Sequence, residues 1–406
     1  MNANLTAAAQ EVLDTGDPGQ RPAGVCIGVA TPVTGTVLAA AGWALRPDGT
    51  VPGEPMTTRM LFDLASVTKV AATTAVIMRL VSAGRLDLDA PVSHHLTGFR
   101  GGDKDRVTAA DMLAHRAGLI SWWPLYCQTT DRERALDLAE RLPLQASPGH
   151  QRVYSDVGFQ LLGRIVERIT GTGLATAFQQ WVAQPLNLAR TRYGPVDPAS
   201  AAVSADDDGI ESLMVETGHP YSVPFTTADF TDWRTTTVRG TAADGNATHA
   251  LAGVSGHAGL FAPLDELLGL GAALVHDETF IPAGVRSRFT AAADPRDPAQ
   301  GLGFRLFDLP TPDGPVPMVG HGGFTGTHLA AATDRPLVLA VAATRLHGTR
   351  GARADLVPID ALAHRAHLGV VRGLARAGAL PTAQSGWSPA TGPFVSGTPT
   401  HDQESP

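Results

Sequence analysis

The first regular spacing of apolar residues, Leu5 to Leu13, is that of a short amphipathic helix. Gly24-Val25-Cys26-Ile27-Gly28-Val29-Ala30 follows as the continuous apolar run of a buried strand. A turn at Pro32 to Gly35 leads to a second apolar run, Thr36 to Trp43, and the pair predicts a hairpin. From Phe62 to Leu80 a turn runs into a helix that carries almost no charge between Lys69 and Arg79, so it should be covered on most sides. Gly84 ends it. Val107 to His115 reads as a short helix starting from a threonine cap, and Arg132 to Arg141 as another. Ser155 to Gly171 is the strongest amphipathic pattern, with Val157, Leu161, Leu162, Ile165, Val166 and Ile169 on one face. From Pro185 to about Ala250 the periodicity dissolves into a long loop region, which in a compact chain serves a site or is disordered. Order returns with Gly256 to Phe261 and a helix over Leu264 to Leu274. The clearest hairpin has arms Thr327 to Thr333 and Pro336 to Thr344 around Asp334-Arg335, both too apolar for an exposed edge. A last amphipathic helix spans 358–377, and 381–406 has too little apolar surface to fold, which predicts a disordered tail.

Strands thus cluster at both ends of the chain and helices fill the middle. That order predicts an α/β (α+β) fold with a central antiparallel sheet flanked by helices, formed by 1–80 and 250–380, with a helical and loop insert over 81–249. At 406 residues, 43% of them apolar and 17% charged, the chain buries a large core. The net charge of -8 is spread without any basic block, which argues against nucleic acid or an anionic membrane as partner. Met1 to Pro22 lacks a basic start followed by an apolar run, and no stretch approaches about 18 uninterrupted apolar residues, so a cytoplasmic, unanchored protein is expected. Cys26 and Cys127 are expected to be reduced structural thiols. Asp206-Asp207-Asp208 lacks the glycine and distal glutamate of a calcium loop and reads as solvated loop, and His364 and His367 read as exposed helix positions rather than metal ligands. No metal or other cofactor is expected.

The chemistry is concentrated in Ser66-x-x-Lys69. Three apart, the two side chains share the first turn of the central helix, where burial and the helix dipole should lower the lysine's pKa towards that of a general base. A serine beside such an amine is a nucleophile for a carbonyl. A capping serine followed by a surface lysine would give the same spacing. Composition favours the catalytic reading: of 31 Lys and Arg residues only Lys69 and Lys104 are lysines, and lysine, unlike arginine, gives up its proton near neutral pH.

Two further triplets extend the pattern. Tyr154-Ser155-Asp156 precedes the helix of 157–171, and His321-Gly322-Gly323 precedes the late hairpin. Taken singly, Asp156 reads as a helix N-cap and the glycines as a simple turn. Taken together and in this order, the three elements match the arrangement of serine acyl-enzymes.

With Gly84-Arg85-Leu86-Asp87-Leu88-Asp89-Ala90-Pro91-Val92, Met112 to Leu119 and Gly322 to Thr327 added, the chain resembles the serine β-lactamase-related hydrolases of the class C and penicillin-binding-protein type. That family includes esterases, D-amino-acid peptidases and acyltransferases. Gly253 to Phe261 resembles one subgroup of it. The resemblance spans roughly 20–370 and implies Ser66 as nucleophile, Lys69 as base or relay and Tyr154 as a second relay. It also implies an oxyanion hole from the peptide N–H groups of Ser66 and Phe324, with Asp156, His321, Gly322 and Gly323 lining the substrate site. Two residues depart from the family pattern. His321 stands where lysine is common and would be only partly charged near pH 7; Asp156 stands where asparagine is commoner and would favour the Lys69 ammonium. The base is therefore Lys69 or Tyr154.

The expected activity is hydrolysis of a small-molecule ester or amide through an acyl-Ser66 intermediate. An acyltransferase passing the same acyl group to an amine or alcohol is the alternative, and a catalytically silent binding protein a third. β-Lactamase activity itself is expected to be weak or absent.

Overall fold

A computed structural model describes residues 2–348 and 356–385. Most of the tail read as disordered, 386–406, lies outside the described residues.

The principal sheet has seven antiparallel strands in the order Glu54–Pro55, Gly35–Leu45, Gly24–Thr31, Val338–Ala343, Thr327–Ala332, Val316–Gly323, Arg305–Leu309. Both predicted hairpins form, the first with Ile27 opposite Ala39 and the second with Leu329 opposite Ala340. Their inner strands pair with each other, Ile27 opposite Val341, so the two ends of the sequence close one sheet. Two cores lie against its two faces because side chains alternate along each strand. Val25, Ile27, Val29, Leu339 and Val341 pack with the helices Asn2–Leu13 and Ile359–Arg376. Cys26, Ala30, Val338 and Ala340 face the helix Leu264–His276 and the central helix. Cys26 is buried and unbridged, and burial pushes its thiol up to about 12.

The central helix departs from the simple α-helix expected. Ser66 lies in a 3-10 turn, Ala65–Val67; Lys69–Thr74 is wound as π-helix, and only Ala75–Ser82 is α-helical. By length and composition Ala65–Ser82 could cross a membrane, yet 78% of it is buried inside the protein, as befits a core helix.

The insert contributes the helices Arg132–Arg141 and Asp156–Thr170. The capped helix in 107–115 narrows to Ala109–Leu113, held by a reciprocal capping box between Thr108 and Asp111. The stretch 185–250 is more ordered than its composition suggested. It contains the helix Gly209–Thr217, the strand pair Val203–Ala205 with Val238–Arg239, and a π-turn at Asn246–Ala250. Asp206 and Asp208 correct the reading of a solvated acidic loop, since both are 4% exposed. Asp206 pairs with His347 at 2.6 Å, and Asp208 with Arg234 at 2.6 Å and His249 at 2.9 Å. Partners distant in sequence, absent from any local window, make that burial affordable.

Candidate active site

The turn carrying Ser66 is clamped from below and from the side. Asp63 accepts hydrogen bonds from the N–H of Ala65 (2.9 Å) and of Ala243 (2.7 Å). Burial raises its carboxyl to about 6 in spite of both donors. Thr325 donates to the Asp63 carbonyl at 2.8 Å and Thr327 to that of Leu64 at 2.9 Å, tying the turn between strands Val316–Gly323 and Thr327–Ala332 to the serine turn. A side chain at Gly323 would collide with the Leu64 carbonyl, so glycine is what lets the strand come this close. Ala65 has φ +43°, a left-handed conformation costly for alanine and placed immediately before Ser66.

Lys69 is fully buried, and its Nζ lies 2.8 Å from Ser66 Oγ, 2.7 Å from Asp156 Oδ1 and 3.5 Å from the His257 carbonyl. The Asp156 contact is a close ion pair at hydrogen-bonding distance. Nζ also sits 4.9 Å from the centroid of the Tyr154 ring. The expected fall in the lysine's pKa does not occur. Burial lowers it, but Asp156 and then Tyr154 outweigh burial and hold the ammonium above its ordinary range. Asp156 is free to do this because it is not the N-cap: Ser155 caps the helix, accepting from Gly158 N–H at 3.0 Å, and Asp156 is its first residue.

The Tyr154 phenol interacts with both Lys69 and Ser66, and burial, opposed by Lys69, raises its pKa. Its ring packs 4.5 Å from His115, whose Nδ1 accepts from Ser155 N–H at 3.0 Å. His115 has φ +57° and is kept neutral, chiefly by burial and then by Lys69. In the sequence His115 stood only as one residue of the Met112 to Leu119 stretch, with no role of its own.

His321-Gly322-Gly323 is no turn; it ends the strand Val316–Gly323. His321 is buried, and its Nδ1–H donates to the Gly322 carbonyl at 2.7 Å, which leaves Nε2 as the acceptor. Burial, aided by Lys69, lowers it to about 3, so the partial positive charge expected at this position is absent at neutral pH. Phe324, next in the chain, is 42% exposed, with Arg345 donating to its carbonyl at 2.9 Å.

Ser66, Tyr154, Asp156, Gly322 and Phe324 share a pocket of about 780 Å³, while Lys69, His321 and Gly323 stand behind its wall. The remaining lining is largely apolar: Trp122, Leu213, Met214, Tyr221 and Leu356. In the same lining Glu211 and Asp244 face each other. Burial and the charge of Asp244 push Glu211 up, and His257 holds Asp244 down against burial. Behind them Ser255 Oγ lies 2.6 Å from His257 Nδ1, and His257 Nε2 lies 2.9 Å from Asp244 Oδ1. This resembles a catalytic triad, but Ser255 is 3% exposed and lies off the pocket, so the array positions the carbonyl beneath Lys69. Among the described residues no group of three or more His, Cys, Asp or Glu is placed to hold a metal ion.

A serine hydroxyl, a buried amine, a phenol and a strand edge in this topology have the arrangement of a serine acyl-enzyme scaffold. A family model described as Beta-lactamase matches residues 17–363, and the chain belongs to that family. Among curated relatives, N-acetylmuramyl-L-alanine amidase of Bacillus subtilis (strain 168) is 32% identical over 299 residues, 67% of this chain and 65% of that protein. The chain thus spans just under two thirds of that amidase. A putative D-alanyl-D-alanine carboxypeptidase of Escherichia coli (strain K12) is 29% identical over 70% of each chain. Among solved structures, EstCE1, a hydrolase with promiscuous acyltransferase activity, superposes with TM-score 0.67 at 20% identity over 91% of this chain and 99% of its own. D-amino acid amidase from Ochrobactrum anthropi SV3 gives 0.65 at 18% identity over 91% and 98%. At such identities the two structures speak to the fold alone.

Proposed function

We propose that this β-lactamase-family protein is a serine hydrolase that cleaves a small ester or amide through an acyl-Ser66 intermediate. The observation that carries the reading is Ser66 Oγ, facing an apolar pocket, 2.8 Å from a wholly buried lysine amine. Esterase and amidase activities among the structural neighbours and relatives accord with it.

Neither Lys69 nor Tyr154 rests as a free base, because both pKa values are raised. The Lys69–Asp156 pair therefore works as one proton-transfer unit. As Ser66 Oγ attacks the carbonyl carbon, its proton passes to Lys69 and one lysine proton passes to Asp156, so the ammonium persists throughout. The oxyanion is received by the N–H groups of Ser66 and Phe324. Tyr154 protonates the leaving group and is reprotonated through Lys69 from Asp156, which restores the starting charges. Water then attacks the acyl-serine by the same steps in reverse.

Intact-protein mass spectrometry after exposure to a nitrophenyl ester or a fluorophosphonate tests this. A single adduct on the wild type that is missing from Ser66→Ala is the expected outcome; equal labelling of the two would refute the assignment.

A further inference from the structure

A second cavity, about 470 Å³, opens on the other side of Tyr154. It adjoins the Ser66 pocket at Tyr154 and Gly322, which line both, while Ser66 itself lines only the first. His328 stands directly across the sheet from Gly322, and His367 projects from the last helix with its ring 5.0 Å from that of His328. Phe307 stacks parallel to His367 at 6.5 Å. The reading of His367 as an exposed helix position is thereby corrected: it is 3% exposed, with His328 at 7% and His321 at 5%. His321 Nε2, His328 Nδ1 and His367 Nε2 are buried ring nitrogens with no hydrogen-bond partner in the protein. Three such nitrogens around one cavity form a set of binding groups that folding alone does not satisfy. All three rings are neutral: burial lowers His328 to about 4, His321 to about 3 and His367 well below its ordinary value. The ionic side chains at the mouth, Arg305, Asp308 and Asp360, are exposed and of both signs, so the interior offers hydrogen bonds and ring faces without net charge.

We propose that this cavity is the acceptor subsite, taking an uncharged, hydroxyl-rich group such as a sugar or polyol that receives the acyl group from Ser66. The proposal rests on the acyl-enzyme reading above. Tyr154 and Gly322 line both cavities, so a group seated in the second presents its reacting hydroxyl past the phenol, with which it exchanges a proton, to the acyl carbon, while the acyl chain stays in the pocket of Ser66. A charged acceptor would lose its hydration against neutral imidazoles, whereas hydroxyl groups pair with them. In the transfer step the acceptor oxygen bonds to the acyl carbon, the bond from that carbon to Ser66 Oγ breaks, and the acceptor's proton passes through Tyr154 and Lys69 to Ser66.

The test gives the acyl-enzyme, formed from a nitrophenyl ester, a choice between water and methyl glucoside, with 1-propanol and D-alanine as competing acceptors. Products are quantified for the wild type, for His328→Leu/His367→Leu and for Ile359→Trp, which narrows the mouth from a half-exposed position. Transfer to the glucoside should saturate, exceed transfer to propanol by about tenfold, and fall by about tenfold relative to hydrolysis in both variants. Linear dependence on glucoside, equal use of propanol, preference for D-alanine, or no change in either folded variant would overturn the proposal. Saturation-transfer NMR of methyl glucoside with the same proteins separates the two readings. Variant-sensitive binding without any Ser66 adduct supports the cavity and removes the hydrolase reading; no binding to the wild type removes the cavity.

Discussion

Lys69 was recognisable from its spacing to Ser66 and its rarity, and Asp156 pointed to an ammonium, but whether burial or the carboxylate wins was not legible. A buried amine alone would be a base; one 2.7 Å from Asp156 is a held ammonium. Two expectations follow. Lys69→Arg keeps a cation beside Asp156 but cannot relay a proton, so kcat should fall by about 100-fold or more in a nitrophenyl ester assay, with little change in KM. Asp156→Asn removes the main influence that raises Lys69 and leaves only Tyr154 to oppose burial, so the lysine pKa falls and the free amine becomes available as the base. Activity of that variant near pH 7 should drop and recover as pH rises through the lowered lysine pKa. The wild type should instead hold its rate into the alkaline range, because its lysine stays protonated there. Overlapping pH profiles would show that the pair does not act as a unit.

The serine turn is one element held by others. Ser66 sits between a short strand end, Phe62–Asp63, and a π-wound start of helix, and its placement depends on Asp63 capturing two backbone N–H groups. Asp63→Ala leaves the buried N–H groups of Ala65 and Ala243 unpaired, at a cost of about 1–3 kcal/mol each. Lower thermal stability together with slower acylation in stopped-flow assays is the expected result, and unchanged acylation would mean the left-handed Ala65 is held by other contacts. The alternation and helix periodicities made most of these elements legible, including both hairpins and the helices of 132–141 and 155–171. The π-winding, the strand Val316–Gly323 and the order within 203–217 were not. Their hydrogen bonds and burial come from segments far along the chain, and local pattern carries no trace of them.

Across the whole molecule, the pocket is assembled from pieces that span the chain: Trp122 from the insert, Met214 from the helix Gly209–Thr217, and Leu356 ahead of the last helix. Its apolar wall predicts the acyl preference. Nitrophenyl hexanoate should be acylated with kcat/KM about tenfold above the acetate, and Met214→Ala should shrink that advantage. A flat chain-length profile would place the acyl group elsewhere. The neighbouring carboxyls of Glu211 and Asp244 add a polar patch to this wall, brought together only by folding.

The two hairpins, the main helices, the burial of the central helix and the Ser66–Lys69 pair were legible in the sequence, because periodicity and side-chain chemistry are local properties, and Tyr154 joined them through the family resemblance. The protonation of Lys69, the neutrality of His321 and the second cavity around His328 and His367 are decided only by the tertiary structure. Each depends on which charges and solvent-excluding surfaces are brought within a few ångströms of one another, and those neighbours lie scores to hundreds of residues away in the chain.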